Sequence, residues 1–105
     1  MKTLKGAVVR LSGGNVRNNH FYLRGMPWLP PEVIGGPNAS SAAAEKLTVV
    51  FSNGQCIQTD VAGDKMILRD RGAVRKFFSD IKAQDGTEIL IELVSPKEIH
   101  VSPKK

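Results

Sequence analysis

The residues best suited to chemistry lie in one polar segment between two predicted strands, residues 12–20 (SGGNVRNNH). The segment holds three asparagines, one arginine and one histidine, and almost no apolar side chain. An asparagine amide both donates and accepts, so it can pair with adenine, and an arginine can pair with guanine. The glycines allow the backbone to approach a phosphate, and Ser12 can donate to one. A solvated turn is the alternative, because Gly, Asn and Ser are also turn residues.

A second polar segment spans the predicted hairpin from Gln58 to Arg69. Gln58, Thr59 and Lys65 lie near its tip, and Arg69 and Arg71 follow. A polar hairpin tip on its own usually indicates only solvation. Together with the first segment, however, it could form a pair of arms on one face, which would reach base edges from both sides of a duplex groove.

The patterns of common enzymes and metal sites are missing from the sequence, which contains no GxSxG, GxxxxGK[ST] or HExxH motif. His20 and His100 are far apart and have no third ligand at a recognisable spacing. The aspartates at 60, 64 and 70 are typical of turns. Cys56 is the only cysteine, which excludes an internal disulfide. We therefore predict a protein that is not an enzyme and has no cofactor, no bound metal and no small-molecule substrate.

The net charge of +5 is concentrated at one end of the 105-residue chain. Residues 1–31 contain five basic side chains and no acidic one, because the first acid is Glu32, and the rest of the chain balances ten basic against ten acidic side chains. This distribution favours a polyanionic partner. The length predicts one domain over residues 1–105. No apolar run is long enough for a membrane span or a signal peptide, so we predict a cytoplasmic protein, nucleoid-associated in a bacterium or nuclear in a eukaryote.

The elements that must position these residues are mostly short strands. Alternating or continuous apolar runs predict seven of them, at residues 5–11, 19–24, 46–52, 55–59, 65–69, 87–94 and 98–101. Asn53-Gly54 predicts a two-residue hairpin turn. Apolar residues at i, i+3, i+4 and i+7 predict an amphipathic helix over 72–83, and Pro30-Pro31 can open a second short helix. The predicted class is α+β, mainly β with two helices.

Three stretches of this chain resemble the B3-type DNA-binding domains of plants and the B3-like recognition domains of some restriction endonucleases. They are residues 11–23 (LSGGNVRNNHFYL), 47–60 (LTVVFSNGQCIQTD) and 73–93 (AVRKFFSDIKAQDGTEILIEL). The resemblance implies a seven-stranded open pseudobarrel that grips the major groove of double-stranded DNA with two loop arms. It implies base contacts by Arg17, Asn18, Asn19, His20, Gln58, Asp60 and Lys65. It also implies phosphate contacts by Arg10, Ser12, Asn15, Arg24, Thr59, Arg69 and Arg71.

The predicted function is sequence-specific binding of double-stranded DNA, for instance as the recognition domain of a restriction–modification protein beside a nuclease domain or subunit. Two alternatives remain open. One is a small β-barrel adaptor that binds a protein through residues 25–44, which requires Met26, Trp28, Leu29, Val33 and Ile34 to be exposed. The other is a barrel that binds RNA.

Overall fold

The computed structural model describes residues 4–24, 26, 28–36 and 43–104. These residues form eight strands, two α-helices and one turn of 3₁₀ helix. In chain order they are β1 (Lys5–Arg10), α1 (Gly13–Asn18), the 3₁₀ turn (Pro31–Val33), β2 (Ile34–Gly35), β3 (Leu47–Phe51), β4 (Cys56–Thr59), β5 (Val61–Ala62), β6 (Ile67–Leu68), α2 (Arg71–Asp80), β7 (Glu88–Ser95) and β8 (Glu98–Pro103).

The strands are arranged in two mixed sheets. The larger sheet has the order β1-β7-β8-β3-β4 and is antiparallel except for the parallel pair β3–β8. The smaller has the order β2-β5-β6, with β2 and β5 parallel. β1 and β4 remain at the edges of the larger sheet, so the described strands do not close into a barrel. The predicted α+β class with two helices is confirmed.

Alternation along the long strands places one face of the larger sheet in the core. On β3, for example, Leu47, Val49 and Phe51 are buried and the residues between them are half-buried. The apolar stripe of α2 covers this face, and the rings of Phe51 and Phe77 lie 5.0 Å apart between centroids. Burial of such side chains is the main source of stability for a chain of this size.

The amphipathic helix predicted over 72–83 is confirmed, and it forms α2. It begins after Asp70, whose side chain accepts from the backbone N–H of Ala73 at 3.2 Å. It ends at Asp80, before the end of the predicted helix, and Lys82 has the left-handed φ of 55°. The left-handed conformation cannot continue an α-helix, which explains the shorter length.

Two predicted elements differ from the structure. Residues 19–24 form no strand, although Phe21 and Leu23 are buried as their alternation predicts. The segment is held at the β5–β6 turn, where the N–H of Leu23 donates to the carbonyl of Met66 at 2.7 Å. The second short helix, predicted to begin at Pro30-Pro31, is a single 3₁₀ turn among the described residues of that stretch. The other α-helix is α1, which lies within the polar segment that was predicted to be a loop.

The predicted hairpin at Asn53-Gly54 is present with a longer turn. Phe51 donates its N–H to the carbonyl of Gln55 at 2.8 Å, so three residues lie between this hydrogen-bonded pair. Gly54 has a φ of +96°, which glycine adopts without strain.

No helix in the described ranges has both the length and the apolar character needed to cross a membrane.

Candidate nucleic-acid interface

The first polar segment folds as the short helix α1. The hydroxyl oxygen of Ser12 accepts from the N–H of Asn15 at 3.1 Å, and the side-chain oxygen of Asn15 accepts from the N–H of Ser12 at 2.9 Å. This reciprocal pair is a capping box with asparagine in place of the more usual glutamate. Asn15 is 7% exposed. The Asn15 side chain is therefore held in the helix start, and its contact with phosphate stays a prediction.

The end of α1 leaves its polar side chains at the surface. Asn19 ends the helix in the left-handed conformation, with φ 55°, and turns the chain away from the helix axis. Arg17 and Asn18 are exposed, whereas Asn19 and His20 are half-buried. The Asn18 amide donates to the carbonyl of Gly14 at 3.0 Å, so its oxygen still faces outward as an acceptor.

A cation from α2 contacts this helix end. The Nε of Arg71 donates to the backbone carbonyl of Asn18 at 3.1 Å, and Nη2 donates to the same oxygen. Arg71 is exposed and is the first residue of α2. The contact therefore fixes a guanidinium group beside the polar end of α1.

The imidazole of His20 is affected by basic side chains from two other parts of the chain. Burial lowers the pKa of its imidazole, and the positive charges of Arg71 and Lys65 lower it further. Lys65 comes from the β5–β6 turn, which the Leu23–Met66 hydrogen bond holds against the segment after His20. The β5–β6 turn, within the second predicted arm, therefore lies against the segment that follows the first predicted arm.

Tyr22 and Arg24 extend the cluster along the surface. The rings of His20 and Tyr22 are 5.2 Å apart between centroids, and the guanidinium carbon of Arg24 lies 4.4 Å from the centroid of the Tyr22 ring. Tyr22 was missed as a candidate, although its alternation with the buried Phe21 and Leu23 already placed it on the same side as His20 and Arg24. We refer to the assembled group as the His20 cluster, which consists of Asn18, His20, Tyr22, Arg24, Lys65 and Arg71.

Two predicted contacts of the second arm are instead an internal ion pair. Asp60 is 1% exposed, and its carboxylate accepts from Nε and Nη2 of Arg69 at 2.7 and 3.0 Å. It also accepts from the N–H of Ala43 at 2.7 Å, while Arg69 donates to the carbonyl of Gly36 at 2.8 Å. The hydrogen bond from Arg69 is the main reason why the pKa of Asp60 is lowered, against the opposing effect of burial. Asp60 and Arg69 are thus engaged with each other within the fold, and their contacts with DNA stay predictions.

Thr59 is likewise internal. It is 5% exposed, and its hydroxyl accepts from the N–H of Asp70 at 3.2 Å, where α2 begins. The phosphate contact by Thr59 stays a prediction.

Two further residues that were predicted to contact DNA lie on the larger sheet. Gln58 is exposed on the edge strand β4, opposite Thr48. Arg10 is exposed at the end of β1, opposite Glu88. Both stay predictions as DNA contacts. In the described part of the chain, no three His, Cys, Asp or Glu side chains are grouped as metal ligands.

Comparison with known proteins shows a shared fold. No protein-family model and no curated protein matches this chain. The solved structure of a hypothetical protein from Arabidopsis thaliana superposes with a TM-score of 0.55, over 99% of this chain and 95% of that one, at 12% sequence identity. At this identity the match shows similarity of fold alone.

Proposed function

We propose that this chain is a B3-like pseudobarrel domain that binds double-stranded DNA in a sequence-specific manner, with the His20 cluster at the centre of its contact surface. The observation that carries the proposal is that Lys65 and Arg71, from separate segments, line one surface cleft. Positive charges held close together attract a polyanion such as a nucleic-acid backbone.

The basic side chains of the cluster differ from three lysines elsewhere on the surface, which form ion pairs. Three lysines elsewhere are paired with carboxylates, namely Lys76 with Asp80, Lys97 with Glu45 and Lys104 with Glu88. Within the described ranges, Arg24 and Lys65 have no ion-pair partner. The cluster therefore carries positive charge that no described ion pair compensates, and such charge attracts a polyanion.

The polar side chains at the end of α1 support sequence recognition. Arg17 and Asn18 are exposed at the end of α1, and they supply the guanidinium and amide groups that pair with guanine and adenine in the major groove. Arg24, Lys65 and Arg71 would contact phosphates and fix the orientation of the domain, while α1 presents Arg17 and Asn18 to base edges. We further propose that such a domain acts beside a nuclease domain or subunit.

A selection from randomised duplexes, followed by sequencing, tests the proposal on the full chain. We expect a defined motif, and an affinity for that motif that falls steeply as salt is raised. Undetectable duplex binding at low ionic strength would contradict the proposal. A flat selection with salt-dependent binding would contradict only its sequence specificity, and preference for a single-stranded RNA competitor would favour the RNA alternative.

Two variants separate base contacts from general electrostatics. Arg17→Ala is expected to weaken binding to the selected motif by about 1–3 kcal/mol and to affect random duplexes less. Arg75→Ala removes the same charge from the exposed face of α2 and is the matched control. Equal losses for the two variants on both kinds of duplex would show that Arg17 reads no base.

The adaptor alternative loses the surface that it requires. Met26, Leu29 and Val33 are 6%, 5% and 0% exposed, and Trp28 and Ile34 pack against the core. Gly25, Pro27 and residues 37–42 of that predicted surface lie outside the described residues. The apolar side chains that the adaptor alternative requires to be exposed thus stabilise the fold.

A further inference from the structure

A small cleft lies between the β5–β6 turn and the start of α2. Its volume is about 170 Å³, and its lining includes the buried side chains of Ile67 and Leu68 together with Asp64, Lys65, Arg69 and Arg71. Pockets for drug-sized ligands occupy roughly 300–1,000 Å³. The cleft therefore suits a single small group better than a whole nucleotide.

The polar lining of the cleft favours an anion. Arg69 is already neutralised by Asp60. Lys65 and Arg71 are exposed, and Asp64 is the one carboxylate among the lining residues. Nε and Nη2 of Arg71 are occupied by the carbonyl of Asn18, which holds the guanidinium in place and leaves Nη1 to donate to a ligand. A cation held in position in this way binds an oxyanion with little loss of side-chain entropy.

We infer that this cleft is a phosphate-binding subsite, in which Lys65 and Arg71 together bind one phosphate group. The inference rests on the proposed function in taking the phosphate to be one of the DNA backbone. The chemistry is the same for free inorganic phosphate, and the two sources are separated below.

The involvement of His20 follows from the groups that surround it. Lys65 from the β5–β6 turn and Arg71 from α2 line the cleft, and both lower the pKa of His20 in addition to the effect of burial. Tyr22 faces the imidazole from its own segment, with Arg24 beyond it. A phosphate held by Lys65 and Arg71 would offset their charges, so that the imidazolium form of His20 is favoured instead of opposed.

The test is an NMR pH titration of the two histidine side chains on the full chain. His100 is an internal control, because it lies on β8 with its Nε2 2.8 Å from a carboxylate oxygen of Glu98. Titrations are recorded in chloride, in inorganic phosphate at equal ionic strength, and with the selected duplex. We expect inorganic phosphate and duplex each to raise the pKa of His20 by about 1 and to shift the NMR resonances of His100 much less.

Variants tie the effect to the cleft. Lys65→Gln removes an exposed charge with little risk to folding, and we expect it to weaken the phosphate-induced rise at His20 at least several-fold. Arg75→Ala, which removes a charge elsewhere on α2, should leave that rise unchanged. If the His20 titration moves no more than that of His100, or if Lys65→Gln and Arg75→Ala behave alike, the subsite is excluded.

The three titrations distinguish the subsite from the proposed function. A response to inorganic phosphate from a chain that binds no duplex would support the subsite as a site for free phosphate and contradict DNA binding. Tight duplex binding with no response at His20 would overturn the subsite and leave the proposed function standing.

Discussion

The guanidinium of Arg71, the first residue of α2, donates to the backbone carbonyl of Asn18, the last residue of α1, across 53 positions of sequence. The contact places a cation at the end of the helix that carries the exposed Arg17 and Asn18. It also couples the position of α1 to that of α2, whose apolar face belongs to the core. The polar end of α1 is therefore held in place by packing elsewhere in the molecule.

Arg71→Ala should lower the free energy of unfolding by about 1 kcal/mol, because the tether of α1 is lost at an exposed site. It should also raise the pKa of His20, since one of the charges that lower it is gone. Arg71→Lys keeps the charge and should leave the pKa of His20 closer to that of the parent. Urea unfolding and histidine NMR measure the two effects, and equal pKa values in the two variants would contradict the electrostatic account.

His20 should make stability depend on pH. Its pKa is lower in the folded chain than the ordinary value of 6.5, so the unfolded chain takes up a proton first as the pH falls. This effect on stability is absent above about pH 6.5. As the pH falls below that value the folded state is progressively destabilised, and the loss levels off once the pH is below the folded pKa. Urea unfolding at pH 7.5 and 5.5 should therefore show a smaller loss for His20→Gln than for the parent. An identical loss in both proteins would exclude His20 as its source.

Asp60→Asn should destabilise the fold by about 2–4 kcal/mol at neutral pH, because Arg69 keeps its charge at a largely buried position without a counter-charge. The folded pKa of Asp60 is lowered, so its stabilising contribution is present above the unfolded pKa and is lost as the pH falls through the folded value. Unfolding measured at pH 7 and in acid should show that the Asn variant loses less on acidification. Asp64→Asn, the matched control at an exposed position, should change stability by under about 0.5 kcal/mol.

Asn19→Ala should destabilise the fold, whereas Asn19→Gly should leave its stability nearly unchanged. Asn19 has a φ of 55°, a conformation that costs alanine about 1 kcal/mol and costs glycine almost nothing. Thermal unfolding should show a lower Tm for the Ala variant and a Tm near that of the parent for Gly. A loss that is equal in both variants would indicate that the side-chain amide, and not the backbone conformation, matters at this position. Asn19→Gly is therefore the variant to use when DNA contacts of this side chain are tested.

Gly63→Ala should destabilise the smaller sheet by about 2–3 kcal/mol. A Cβ at this position would lie 2.5 Å from the carbonyl oxygen of Gly35, to which the N–H of Gly63 also donates at 2.9 Å. The backbone must move apart to admit the methyl group. Gly14→Ala, where the nearest atoms to a new Cβ are 3.7 Å away, should unfold at the same urea concentration as the parent or slightly higher. A Gly63→Ala variant as stable as the parent would contradict the packing described here.

Several elements could be predicted from local sequence because local interactions determine them. The spacing of Val74, Phe77 and Phe78 predicts α2, and Asn53-Gly54 predicts the β3–β4 hairpin. Each signal reflects a conformational preference of the residues themselves or the periodicity of a single buried face. The concentration of positive charge in residues 1–31 is likewise a property of the sequence alone.

Residues 12–24 show where such reasoning fails. α1 is six residues long, too short to be stable by propensity, and it depends on the Ser12–Asn15 capping box and on Arg71. Alternation correctly predicted that Phe21 and Leu23 are buried, but a strand also needs a partner along its length. Residues 19–24 have no such partner strand, and the backbone of Leu23 is held to the β5–β6 turn by its hydrogen bond to Met66.

By itself, the sequence determined the charge distribution, the apolar periodicities and the turn chemistry, since these are carried by residues close together in the chain. The tertiary structure decided which polar residues are free to bind a partner. Asp60 and Arg69 look like surface groups in the sequence, yet each is satisfied by a group that only the folded chain brings within reach. Lys65, Arg71 and His20 look unrelated, yet they form one cluster. A charged side chain is neutralised or left available according to its neighbours in space, and those neighbours are set by the packing of distant segments.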